Sequence, residues 1–245
     1  MFKKFGNWVK TLYCETLQTV REVPTVAVVF FVLSIVLMNQ LAAYPLVETS
    51  WLCLDAGIFV AWFSFLAMDV VVKTFGPKKT NRLVLFGLVV NLFCCVVLMI
   101  PSIIDCVKAN DFSLDSFIAP FWVLGASSVA FLISGVINTF VNHLIGVKMK
   151  EQNEKKAFIV RTYISTTIGQ FLDNLVFAML FTFPASLIGV WGAGPQTILA
   201  IVGFAAVGAL VELVCEIIFS PLGYNISRKW IADGIGTDFV KQEHN

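Results

Sequence analysis

Along the chain, apolar runs of some twenty residues alternate with short polar connections, and the alternation gives six runs. They fall at about 25–45, 51–74, 82–104, 117–146, 158–183 and 196–220. At a helical rise of about 1.5 Å per residue, such runs match a hydrocarbon core of roughly 30 Å. Lipid offers no partner to an exposed peptide group, so each run predicts a helix. Prolines 24, 45, 77, 101, 120, 184, 195 and 221 sit at or near the run ends, and none is expected at a helix centre. Ahead of the first run, Phe2, Phe5, Val9, Leu12 and Val20 recur at helical spacing between lysines. That pattern predicts an amphipathic helix on the membrane surface, with a mobile tail as the alternative. The apolar run behind it starts too late and is too long for a plain signal peptide. Three parts result: an interfacial segment 1–24, a membrane domain 25–224 and a C-terminal tail 225–245.

Composition agrees. The 245 residues are 58% hydrophobic and 13% charged, against about 45–50% and about 25% in soluble domains. The short alternating segments of a β-barrel are absent, so the expected class is all-α, a polytopic membrane bundle. Charge then orients it. Lys and Arg cluster in residues 3–21, 73–82, 148–161 and 228–241, and of the seventeen only Lys108 falls in the other connections. Positive charge on alternate sides predicts six spans with both termini cytoplasmic.

A net charge of +1 gives no basic or acidic tail for direct nucleic-acid binding. The six cysteines lie mostly in apolar runs without a CxxC pair and read as small buried hydrophobes. His143 and His244 lack the company of a metal site. No phosphate-binding loop or hydrolase signature occurs, so neither catalytic residues nor a cofactor are expected.

The unusual feature is polarity inside the spans, where an ionisable group costs roughly 2.5–3.5 kcal/mol at a helix centre. The fifth run, "RTYISTTIGQFLDNLVFAMLFTFP", places Thr162, Thr166, Gly169, Gln170, Asp173 and Phe177 on one helical face. A stripe of interhelical hydrogen bonds would explain its hydroxyls, at about 0.6 kcal/mol each, but needs no carboxylate. Asp173 therefore reads as facing a ligand. In the fourth run Ser127, Ser134, Gly135, Asn138 and Asn142 share a face, and the two amides suit either packing or a heterocycle's edge. Asp69, Glu212 and Glu216 are candidates for proton coupling or gating.

The stretch Arg161, Ser165, Thr166, Gly169, Gln170, Asp173, Phe177 resembles the signature of the queuosine precursor transporter family, six-span proteins of vitamin-uptake type. Asp69, Lys73 and Gly76 resemble a second block, "ASSVAFLISGVIN" with Asn138 a third, and Pro221 a proline of the closing segment. A lysine expected in the sixth span is missing, with Glu212 nearby. The resemblance covers roughly residues 25–230. It implies uptake of a 7-deazaguanine (queuine, preQ1 or preQ0) across a bacterial cytoplasmic membrane for tRNA modification. Asp173, Gln170, Asn138, Asn142, Thr166, Phe177 and Arg161 are the candidate binding residues, with Phe181 and Trp122 as further stacking surfaces. The alternative is a substrate-binding subunit that needs a separate ATPase module. A non-transport scaffold is a third reading. A second copy of the chain is the other candidate partner.

Overall fold

The structure is a computed structural model that describes residues 2–42, 44–48, 53–112, 119–184, 197–236 and 239. Helix α1 (Phe2–Glu22) is followed at Pro24 by α2 (Thr25–Leu41), and the two axes differ by 115°. A short antiparallel hairpin, β1 (Pro45–Glu48) with β2 (Cys53–Asp55), leads into α3 (Ile58–Ala109). Then come α4 (Ala119–Lys148), α5 (Glu154–Phe177), a π-helical turn (Ala178–Thr182) and α6 (Ile198–Ala232). Asn153 starts α5, its Oδ1 accepting the backbone N–H groups of Lys155 and Lys156 at 3.0 and 3.2 Å.

Among the described residues, α3, α4 and α6 are each long and apolar enough to cross a bilayer, and the bent α1–α2 pair would make a fourth span. The described fold is thus an all-α membrane protein, although the six runs expected from sequence do not all meet that measure. At 17 residues α2 is short, and α5 carries the polar stripe. The second and third expected runs are joined within one 52-residue element. At about 1.5 Å per residue it would be about 78 Å long if straight, far more than one bilayer core. It is broken at Gly76, whose φ of 81° and ψ of 171° are non-helical. The expected loop 75–81 is therefore a sharp break followed directly by Pro77, which is tolerated at the start of a second limb.

A second correction concerns Pro221. The sixth run was expected to end before it, yet α6 continues to Ala232, so the expected tail is helical in its first part. Proline cannot donate to the carbonyl four residues back. That carbonyl, of Ile217, faces the Tyr163 hydroxyl at 3.5 Å, a weak substitute donor. Pro101 likewise lies inside α3. The cysteine expectation holds for Cys95 and Cys106, which are buried, while Cys14 on α1 is exposed.

Packing inverts the soluble pattern. Phe93, Leu210 and Ile218 are 68%, 62% and 63% exposed, while Asp69, Asn138, Gln170 and Glu216 are wholly buried. Such a continuous exposed apolar surface suits a lipid solvent. Between the helices, Phe31, Ile35, Phe65, Met68, Leu83, Val84 and Phe131 form the main apolar core. Helix α5 packs between α4 and α6, and α3 touches α2, α4 and α6. Gly169 allows the close approach of α5 to α4, because a Cβ there would come within 2.8–2.9 Å of Phe65 and Asn138 side-chain atoms. Helix α1 is tied to the second limb of α3 by Glu15–Arg82 at 2.5 Å, Glu15–Lys78 at 3.5 Å, and a Glu22–Lys79 pair.

Candidate functional site

The polar face of α5 runs from Arg161 through Thr166 and Gln170 to Asp173 and Phe177. Sixteen helical steps make this stripe about 24 Å long. Its surroundings divide into three levels.

At the centre lies Asp69 of α3. Its Oδ1 accepts Asn138 Nδ2 of α4 at 3.1 Å and lies 3.5 Å from Ser165 Oγ, and its Oδ2 accepts Thr166 Oγ1 at 3.1 Å. Asn142 Nδ2 donates to Ser165 Oγ at 3.2 Å. Each of these side chains is completely buried. Several polar atoms at this level have no hydrogen-bond partner among the described residues: Asn138 Oδ1, Asn142 Oδ1, both amide atoms of Gln170 and both carboxyl oxygens of Glu216. Buried polar atoms are ordinarily paired, and leaving one unpaired costs about 1–3 kcal/mol, so a concentration of them calls for water or ligand.

Toward one end, a cleft of about 60 Å³ is lined by Asp173, Asn174, Phe177, Asn39, Ser127 and Glu212, among others. That is room for a few waters in this state. Asp173 is only half-buried and accepts Ser134 Oγ at 2.8 Å. Asn39 is held by Ser127 and donates to Asn91 Oδ1 at 3.2 Å. Toward the other end, a wider space of about 520 Å³ is lined by Lys73, Lys150, Gln152, Glu154, Phe158 and Arg161, among others. That volume lies in the range of ligand sites, roughly 300–1,000 Å³. Lys73 pairs with Glu154 at 2.7 Å and stands 4.8 Å from the Tyr224 ring centre and 5.3 Å from that of Phe158.

The structure therefore brings Thr166, Gln170, Asn138 and Asn142 together around Asp69, with Arg161 close enough to act on Asp69 electrostatically. Asp173, Phe177 and Glu212 belong to the cleft. Glu216, a candidate for proton coupling or gating, is wholly buried. Trp122 is not a stacking surface here: half-exposed, it donates Nε1–H to the Leu180 carbonyl of the π-helical turn at 2.9 Å. The side chain of Phe181 lies outside the described residues. Asn174 was passed over as a cleft residue. Its place beside Asp173 in a polar run was the available signal.

The structure is thus a membrane-type helical bundle with an apolar surface and a buried polar site. The comparisons agree: a family model described as "Putative vitamin uptake transporter" matches residues 55–226. The chain belongs to that vitamin uptake transporter family. No curated protein and no solved structure matches it.

Proposed function

We propose that this chain imports queuosine precursors, the 7-deazaguanines queuine, preQ1 or preQ0, through a bacterial cytoplasmic membrane for queuosine formation in tRNA. In this reading six helical segments cross: α2, the two limbs of α3 (58–75 and 77–109), α4, α5 and α6, with both termini cytoplasmic. The observation that carries the proposal is the unspent hydrogen-bonding capacity around Asp69. A planar base presents donors and acceptors along its edges, and Gln170, Asn138 and Asn142 offer an amide donor and carbonyl acceptors that have no partner among the described residues. The Asp69 oxygens already face donors, so Asp69 orders the site. Asp173, turned to the cleft one helical turn from Gln170, accepts the paired N1–H and exocyclic amine of a guanine-like edge. Phe177, a further turn on, supplies a ring face, and such stacking contributes about 1–3 kcal/mol per base in single-stranded nucleic acids. The narrow space at the Asp173 end and the wide one at the Lys73 end suit a carrier open to one side at a time.

The test is the tRNA queuosine content of a bacterium unable to make the precursors, fed each base at nanomolar concentration. The wild-type chain restores queuosine, and Asp173→Asn, present in the membrane at equal amount, lowers it at least tenfold. No restoration by wild type with any base would overturn the proposal. Uptake by the chain alone in liposomes excludes the requirement for an ATPase partner.

A further inference from the structure

Glu216 is a buried carboxylate that the proposed base contacts leave unused and that, unlike Asp69, faces no hydrogen-bond donor among the described residues. Its side chain is wholly inaccessible, and neither oxygen has a hydrogen-bond partner among the described residues. Packing of α6 against α3 brings it within electrostatic reach of Asp69. Among the titratable groups on the elements packed around it are Asp69 and Lys73 of α3, Arg161, Tyr163 and Asp173 of α5, and Glu212, Cys215, Tyr224 and Arg228 of α6 itself. Lys73 is committed to Glu154 at 2.7 Å. The Tyr163 hydroxyl is committed to Ser220 Oγ at 3.0 Å. Arg161 lies within electrostatic reach of Asp69, whose oxygens accept Asn138 and Thr166. With no hydrogen-bond donor on either oxygen among the described residues, an ionised Glu216 beside Asp69 would be a costly charge in a low-dielectric interior. A proton removes the charge yet leaves an O–H donor and a carbonyl acceptor both idle. A structural role alone does not explain that arrangement. An alkylammonium group supplies both missing elements, a positive charge and N–H donors.

We infer that Glu216 is the counter-ion for a cationic amine on the transported base, and that it holds a proton when no cation is bound. The inference rests on the proposed uptake of 7-deazaguanines and selects among them. The aminomethyl group of preQ1 and the secondary amine of queuine are protonated at neutral pH, whereas the nitrile of preQ0 carries neither charge nor N–H. On binding, the Glu216 carboxyl O–H bond breaks, its proton leaves to water, and the carboxylate receives the ammonium already present on the cargo. One cation enters and one proton departs, so the net charge of the occluded site is unchanged.

The full chain in liposomes, with labelled preQ1 and preQ0, provides the test. Glu216→Gln is expected to slow preQ1 uptake at least tenfold while leaving preQ0 uptake within twofold of wild type. Equal effects on the two bases would overturn the assignment. A second measurement needs no variant: in weak buffer, wild type should release one proton per preQ1 bound and none per preQ0. Equal release would also overturn it. Uptake of neither base by wild type removes the uptake proposal, and this inference with it, whereas uptake of both without discrimination by Glu216→Gln removes the inference alone.

Discussion

Asp69 and Asp173 carry the same functional group, and their neighbours separate their roles. Asp69 gathers Asn138, Ser165 and Thr166 from two other helices in a wholly buried place, whereas Asp173 stands half-buried at a cleft. In the sequence Asp173 was the conspicuous residue because its helix repeats polar groups at helical spacing. Asp69 sits among valines and shows no such stripe, so its central position depended on where α4 and α5 come to rest. Thr166→Val, which keeps the shape and removes the donor to Asp69 Oδ2, should destabilise the protein by roughly 1–3 kcal/mol, the usual range for leaving a buried polar group unpaired. Thermal unfolding in detergent reads this, with Thr166→Ser expected close to wild type. An unchanged midpoint for Thr166→Val would remove Asp69 from the centre of the site.

At the level of elements, α3 is decided by one residue. A positive φ at Gly76 breaks the helix, and a Cβ there would also collide with the Phe239 ring from the C-terminal segment. Gly76→Ala should therefore cost about 1–3 kcal/mol for the backbone conformation alone. Phe239→Ala in the same chain should relieve the ring collision and leave that backbone cost in place. Denaturant unfolding of the two single variants and the double variant separates the contributions. Full recovery in the double variant would show that the break itself carries no strain. Sequence periodicity located both limbs of α3 but gave a loop between them, since a glycine before a proline is ordinarily a turn signal. The continuation of α6 past Pro221 was hidden for a related reason: a proline reads as a stop unless another helix offers a donor to the freed carbonyl.

Taken whole, the molecule is a bundle with its polar groups inside, and α1 is joined to it largely through charge. Glu15 is held below the ordinary glutamate value of 4.5 chiefly by its hydrogen bond from Arg82, and Glu22 chiefly by that from Lys79. A carboxylate lowered in the folded state contributes stability above its unfolded pKa and loses it as pH falls through the folded value. Docking of α1 should therefore be constant from about pH 6 to about pH 8 and loosen below about pH 4.5. High salt should loosen it too, because these groups are partly exposed and screened. Hydrogen exchange of the α1 amides, corrected for the intrinsic pH dependence, would show this. Acid-insensitive protection would mean that Val20 and Val23, which pack into the core, suffice. The sequence by itself determined the membrane class, the approximate place of most helical segments and the polar face of α5, because hydropathy and helical period are local properties of a chain in lipid. Only the tertiary structure decided that Asp69 lies at the meeting point of three helices and that Glu216 is enclosed without a hydrogen-bond partner among the described residues. It also decided that the free space narrows between the Lys73 end and the Asp173 end. Each of these depends on residues far apart in the chain and on close approaches such as that at Gly169, which no local pattern records.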